Sequence, residues 1–103
     1  MTSNPEKDEV LYAKINLETA KIPWKELERF FAAGRIISVD DSVDMIQVAT
    51  LMAADDTMAI SDMLEKKQIG RATDEQAKIW SDSDASLWAV VVRPWILVQQ
   101  RMN

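Results

Sequence analysis

The sequence predicts an α+β fold of about five helices packed around a small sheet. Its C-terminal segment, 87–98, combines two tryptophans with a run of branched aliphatic residues. That composition favours a buried strand over a helix, and the segment is too short to cross a membrane. Apolar residues at helical spacing, bounded by capping residues, recur through the preceding part of the chain. Because a strand buried on both faces must be covered, we expect these helices to pack onto it.

Two helices are predicted in the first third of the chain. Asn4 and Pro5 are typical of a helix N-cap and first turn, which predicts a helix from Pro5 to Ala20. Pro23 is expected to start a second helix and Gly34 to end it, since glycine is common just beyond a helix C-terminus. Between these two signals the apolar residues recur at i, i+3, i+6 and i+7, the spacing of one helix face.

A strand followed by two helices is predicted in the middle of the chain. Residues 35–39 are short, β-branched and bounded by glycine and aspartate, which is typical of a strand. Asp41 or Ser42 is expected to cap the next helix, which is apolar on two sides and should therefore be covered on two sides. The triplet 55–57 offers a break and a new cap, and the helix that follows should end at 66–67.

One more helix and the long strand are predicted in the last third. Thr73 and Gln76 have the T-x-x-Q spacing of a capping box, which opens a helix. The segment 69–72 before it is either a short strand or a connector. Pro94 interrupts the terminal strand 87–98, and proline cannot donate into a central ladder. It therefore marks a bulge, an edge position or a bend between two shorter strands.

The length fits one domain. We expect residues 10–103 to form a single α+β domain and residues 1–9 to be a flexible tail or the start of the first helix. The N-terminus lacks the basic and apolar regions of a signal peptide, and the chain has no cysteine. Both features indicate a cytoplasmic protein.

Composition excludes several kinds of active site. The absence of His and Cys removes the commonest general base, the thiol nucleophile and the usual zinc, haem and iron–sulfur ligands. No phosphate-loop, dinucleotide or nucleophile-elbow motif occurs. Asp40, Asp41 and Asp44 are crowded as in hard-cation sites, but helix capping on a solvated face is the more frequent cause. We therefore expect no metal and no cofactor, and the sequence favours a protein that is not an enzyme.

Charge also restricts the partners. The net charge is −5, and no Lys or Arg lies between Ile36 and Glu65. Such a distribution opposes binding to the phosphates of nucleic acids, and no segment is suited to a membrane. We expect neither partner.

Tryptophan is unusually frequent, with four in the chain. Core packing accounts for two or three of them, but Trp is also favoured at interface hot spots. Trp88 and Trp95 would point to opposite faces of an unbroken strand and to the same face if Pro94 lies in a bulge. One of this pair is expected at an intersubunit or ligand surface, with Trp95 as the anchor. Four of six methionines lie between Met45 and Met63, a composition also found in adaptable binding grooves.

Three blocks of the sequence, 17–32, 73–80 and 87–99, resemble a family of small bacterial proteins known only as domain of unknown function family 2288. The block Trp-Ala-Val-Val-Val-x-Pro-Trp within 87–99 is the most specific. The resemblance covers nearly the whole chain after the first ten residues. It implies a stand-alone, single-domain bacterial protein and carries no activity, substrate or catalytic residue. The candidate interface or ligand-surface residues are Glu18, Thr19, Trp24, Glu26, Gln76, Trp80, Trp88, Pro94 and Trp95.

Together these features predict a non-catalytic cytoplasmic bacterial interaction module that self-associates into a homo-oligomer. An unidentified protein or a small molecule is the other partner considered. The alternative is a small-molecule-binding regulatory domain whose pocket is lined by Trp and Met.

Overall fold

Helices cover both faces of a five-stranded sheet in the computed structural model, which describes residues 5–100 of the chain and the side chains of residues 9–100. The predicted α+β fold is confirmed. In chain order the elements are α1 (Pro5–Glu18), β1 (Ala20–Pro23), α2 (Trp24–Ala32), β2 (Ile36–Val39), α3 (Met45–Ala53), α4 (Thr57–Glu65), β3 (Ile69–Arg71), α5 (Asp74–Asp82), β4 (Ser86–Val92) and β5 (Trp95–Gln99). Within the described residues, no helix is long and apolar enough to cross a bilayer. Residues 1–4 of the predicted tail lie outside the described range.

The sheet is mixed, with strand order β1-β4-β5-β2-β3. β2 runs parallel to β5, and the other neighbours are antiparallel. The segment 69–72, which the sequence leaves as strand or connector, supplies edge strand β3. The central strand β5 and its neighbour β4 both come from the apolar C-terminal segment.

Pro94 marks a turn between two strands, the third of the alternatives that the sequence leaves open. β4 and β5 form an antiparallel hairpin whose register runs from Trp88 opposite Gln99 to Val92 opposite Trp95. Pro94 lies in the turn, so it is never required to donate a hydrogen bond within the ladder. Since opposed residues share a face, the hairpin places Trp88 and Trp95 on the same face of the sheet.

The chain between α1 and α2 differs from its prediction. α1 ends at Glu18 rather than Ala20, and Ala20–Pro23 pairs with β4 as an edge strand. The Thr19 hydroxyl donates to the Ile15 carbonyl at 2.8 Å, which satisfies one acceptor at the helix C-terminus. The short, exposed β1 shows no alternation of apolar residues, so only its pairing with a buried strand makes it β. α2 follows Pro23 as predicted, and Gly34 beyond its end has a φ of 73°.

The predicted cap of α3 is wrong. Neither Asp41 nor Ser42 caps the helix; Asp44 does, accepting the Ile46 N–H at 3.0 Å. Ser42 instead donates its N–H and its hydroxyl to the Asp40 carboxylate, forming a local turn before the helix. The other two predicted starts are confirmed, with an N-cap at residue 56 for α4 and the capping box at residues 73–76 for α5.

The sheet separates two cores. One face packs against α1, α3 and α4, and its buried residues include Met45, Val48, Val90 and Leu97. The other face packs against α2 and α5, with Leu27 buried there. α3 contacts α1, α4 and the central strands, as expected for a helix that is apolar on two sides.

Candidate functional site

A groove opens between α4 and the tip of the β4–β5 hairpin, on the sheet face that α3 also covers. We call it the hairpin groove; its volume is about 340 Å³. Its apolar floor and walls are formed by Met52, Ile60, Leu64, Val92 and Trp95. Trp95 is half-buried, and the Leu64 side chain is 49% exposed. The groove therefore presents an aromatic side chain and aliphatic side chains to whatever enters it.

The turn between α3 and α4 forms the acidic end of the hairpin groove. Asp55 has a φ of 58°, a conformation that lets the chain reverse directly after α3. Asp56 then caps α4 by accepting the Ala59 N–H at 3.1 Å. Both aspartates line the groove and are exposed.

One arginine lines the groove on its hairpin side, and two others lie near Trp95. Arg93, in the hairpin turn, lines the groove. The Arg71 guanidinium carbon lies 5.4 Å from the centre of the Trp95 ring, a cation–π contact that joins β3 to β5. The backbone of Arg35 lies beside the start of β5, since its carbonyl accepts the Ile96 N–H at 2.9 Å.

None of these three arginines forms an ion pair within the described part of the chain. The ion pair found there joins Lys66 to Asp62 at 3.0 Å. The arginines beside Trp95 are therefore free to meet a carboxylate or another anion from outside.

A second depression, the strand-end crevice, lies where the parallel strands β2 and β5 end. Its volume is about 290 Å³, and Asp40, Asp41 and Gln76 contribute to its lining. The Gln76 side-chain amide donates to the Ser38 hydroxyl at 3.1 Å. Hydrogen bonds from Ser42, through its hydroxyl first and its backbone N–H second, lower the pKa of Asp40.

Two of the predicted tryptophans belong to the core. Trp24 and Trp80 are buried between α2, α5 and the sheet, with ring centroids 5.1 Å apart and planes tilted by 56°. The Trp80 ring N–H donates to the Gln100 side-chain oxygen at 3.1 Å, so the indole also borders the strand-end crevice. Trp88 is half-buried in the core on the other sheet face.

The remaining predicted residues are dispersed. Glu18 and Thr19 lie at the end of α1, and Glu26 is exposed in the first turn of α2. Pro94 is exposed in the hairpin turn. Of the nine predicted residues, Trp95 lines the hairpin groove, whereas Gln76 and Trp80 line the strand-end crevice.

Sequence reasoning missed most of the hairpin groove. Met52 lies in the methionine-rich segment, which was a usable signal. Leu64 had none, because it is part of an ordinary helix face, and neither had Arg71, which lies in a short segment outside the groove lining. Packing of α4 beside the hairpin brings Leu64 to Trp95, and strand β3 brings Arg71 over the Trp95 ring.

Acidic residues do not form a metal centre in the described part of the chain, where no three potential ligands cluster. Asp44 is engaged at the start of α3, where it also accepts the Tyr12 hydroxyl at 2.6 Å. Asp40 is engaged with Ser42. These carboxylates act in helix capping and turn formation.

Comparison with known proteins gives one family and one solved structure. The model of a family described as "Protein of unknown function (DUF2288)" matches residues 10–100. A structure described as "NMR solution structure of PA1075 from Pseudomonas Aeruginosa" is 37% identical in sequence, covers 100% of this chain and 95% of that chain, and superposes with a TM-score of 0.79. The curated proteins gave no match.

Proposed function

We propose that this chain, which belongs to the DUF2288 family of proteins of unknown function, is a non-catalytic interaction module that self-associates through the hairpin groove. Nothing in its described residues indicates catalysis. The cytoplasm of a bacterium is the proposed location, supported by the absence of cysteine and by the similarity to a protein of Pseudomonas aeruginosa.

One observation carries the proposal: the open groove presents Trp95 together with exposed apolar residues of α4. Leu64 is 49% exposed, and Met58, one residue beyond the groove-lining Thr57, is 84% exposed. Exposed apolar side chains beside an aromatic residue are typical of protein interfaces, and aromatic residues supply much of the binding energy there. Burial of these side chains against another protein is therefore more favourable than their exposure to water.

The sheet edges are less suitable for association. β1 has four residues with Lys21 and Pro23 among them, and β3 has three. Short edge strands that carry lysine or proline resist pairing with another chain. The C-terminal strand β5 is central, with both of its edges already paired, so the sheet edges do not favour association.

Sedimentation velocity over about 1–200 µM tests self-association, the concentration range in which interfaces of about 5–8 kcal/mol are detected. We expect the wild-type mass to rise with concentration. Trp95→Ala should weaken association by about 2–4 kcal/mol, roughly 30- to 1,000-fold in dissociation constant. Ile79→Ala is the matched control, because Ile79 is an exposed aliphatic residue on α5, on the other face of the sheet.

A wild-type protein that stays monomeric across this range refutes self-association. Equal effects of the two substitutions would instead refute the role of the hairpin groove. Far-ultraviolet circular dichroism should show native helix content in both variants, since neither side chain is fully buried.

A small-molecule-binding regulatory domain is the second candidate. The groove volume of about 340 Å³ falls in the range of about 300–1,000 Å³ typical of ligand pockets, and Trp95 and Met52 line it. Native mass spectrometry of protein purified from its own host separates the two functions. A monomer carrying a small additional mass, lost in Trp95→Ala, would favour the second.

A further inference from the structure

The hairpin groove has walls of opposite charge. Asp55 and Asp56 form one end, at the turn between α3 and α4. Arg93 stands in the hairpin turn on the other wall, with Arg71 over the Trp95 ring. No ion pair joins the two walls within the described residues, where the pair found is Lys66–Asp62. Both sets of charges are therefore available to a partner.

From this arrangement we infer that two copies of the chain dock across a two-fold axis at the hairpin groove, with the Asp55–Asp56 turn of each copy facing Arg93 and Arg71 of the other. The inference rests on the proposed self-association and specifies its geometry. In a two-fold interface the same patch is used by both subunits, so each contact between two residues occurs twice. A patch with acidic and basic ends around an apolar centre is complementary to itself under that symmetry.

Charge complementarity favours a second copy over other occupants. An acidic peptide or a nucleic acid would match the arginines but would be repelled by Asp55 and Asp56. A basic peptide would meet the reverse problem at Arg93. A second copy carries charges of both signs.

The apolar centre provides the area to be covered. Leu64 and Met58 of one copy would be covered by the groove of the other, where Val92 and Trp95 present apolar surface. Burial of this surface is the main driving force for association. Exposed ion pairs are individually weak, each changing an equilibrium constant by no more than about five-fold. The charges therefore set the register and orientation of the two copies.

Charge reversal at Arg93 and Asp55 tests the geometry. Arg93→Glu places a carboxylate opposite the Asp55–Asp56 turn of the other copy, and Asp55→Lys places an ammonium group opposite Arg93 of the other copy. Lysine should be tolerated at position 55, because Lys67 of this chain already adopts a φ of 59°, close to the 58° of Asp55. Each reversal acts at both symmetric contacts, so we expect each variant to dimerise at least about ten-fold more weakly than the wild type.

An equimolar mixture of the two variants gives the decisive measurement. In the mixed dimer, Glu at position 93 of one copy faces Lys at position 55 of the other, and the second contact keeps its native Arg93 and Asp55. We expect the mixture to form a heterodimer within about three-fold of the wild-type dissociation constant, detected by its mass in native mass spectrometry. Lys78→Glu is the control, since it changes the net charge as Arg93→Glu does but lies on α5, outside the groove.

The outcomes separate the two proposals. A wild-type dimer whose charge-reversed variants associate as tightly as Lys78→Glu overturns the two-fold geometry while self-association stands. So does a mixture that fails to form the heterodimer. A monomeric wild type overturns self-association and this inference with it. If a reversed variant fails to fold, Arg93→Gln and Asp55→Asn replace it. Both should weaken the dimer by a few-fold and reduce the sensitivity of its dissociation constant to salt. No change in either property would also overturn the geometry.

Discussion

The side chain of Gln99 holds the loop between β2 and α3 against the end of β5. Gln99 is buried, and its amide group donates to the Asp40 carbonyl at 2.8 Å and to the Val43 carbonyl at 2.6 Å. These two bonds span 59 and 56 residues of sequence, so they connect distant parts of the chain. Substitution Gln99→Leu keeps most of the side-chain volume and removes both donors.

The cost follows from the two carbonyl groups that lose a hydrogen bond. The Val43 carbonyl is left without a donor, which costs about 1–3 kcal/mol. The Asp40 carbonyl still accepts the Val43 N–H at 3.1 Å, so only the net value of one hydrogen bond, about 0.5–1.5 kcal/mol, is lost there. The leucine side chain returns about 1–1.5 kcal/mol through the burial of apolar surface. At the middle of these ranges we expect Gln99→Leu to lower the free energy of unfolding by about 1–2 kcal/mol, equivalent to roughly 5–15 °C in melting temperature for a domain of this size.

Urea denaturation followed by circular dichroism measures this change. Gln47→Leu is the matched control, because Gln47 is exposed on α3, and we expect its effect to stay within about 0.5 kcal/mol. A Gln99→Leu protein whose stability equals that of the control would refute the role of the two hydrogen bonds.

Gln99→Glu adds a test based on pH. A carboxylate at this position cannot donate and faces two carbonyl oxygens, so its folded-state pKa should lie above the unfolded value of about 4.3. A group with a raised folded pKa stabilises the fold below the unfolded pKa, and this contribution is lost as the pH rises through the folded pKa. The stability deficit of Gln99→Glu relative to the wild type should therefore grow between about pH 4 and pH 7. A deficit that does not change with pH would contradict this account of the site.

Two further predictions concern the core and the turn before α3. Leu97→Ala removes a fully buried side chain from central strand β5 and should lower the free energy of unfolding by about 3–4 kcal/mol in urea denaturation. Leu17→Ala, at an 85% exposed position, should change it by less than about 0.5 kcal/mol. Similar losses in both variants would argue against the core described above. Ser42→Ala removes the hydroxyl that contributes most to the lowered pKa of Asp40, so that pKa should rise toward its ordinary value in an NMR titration of the carboxyl carbon. A group with a lowered folded pKa stabilises the fold above the unfolded pKa, and this contribution is lost as the pH falls through the folded pKa. The stabilities of the wild type and of Ser42→Ala should therefore converge in acid. An Asp40 pKa unchanged by the substitution would show that Ser42 does not cause the lowered pKa.

Local signals in the sequence determined most of the elements. The capping box at Thr73 and Gln76, the Pro23 and Gly34 boundaries of α2 and the β-branched segment 36–39 each lie where the structure has them. These features involve residues a few positions apart, and their energies are set within one turn or one strand. Local chemistry alone is therefore sufficient to predict them.

Tertiary structure decided the rest, because the deciding contacts join residues far apart in sequence. Ala20–Pro23 is a strand only through its pairing with β4, and Pro94 becomes a turn only when the chain on its two sides pairs as a hairpin. The groove follows from the same long-range packing: the hairpin brings Trp95 beside α4, and β3 brings Arg71 over its ring. The sequence alone could identify Trp95 as a candidate anchor. It could not show that Asp55, Asp56 and Arg93 would line one groove with Trp95, because these residues are brought together only by the packing of α4 beside the hairpin.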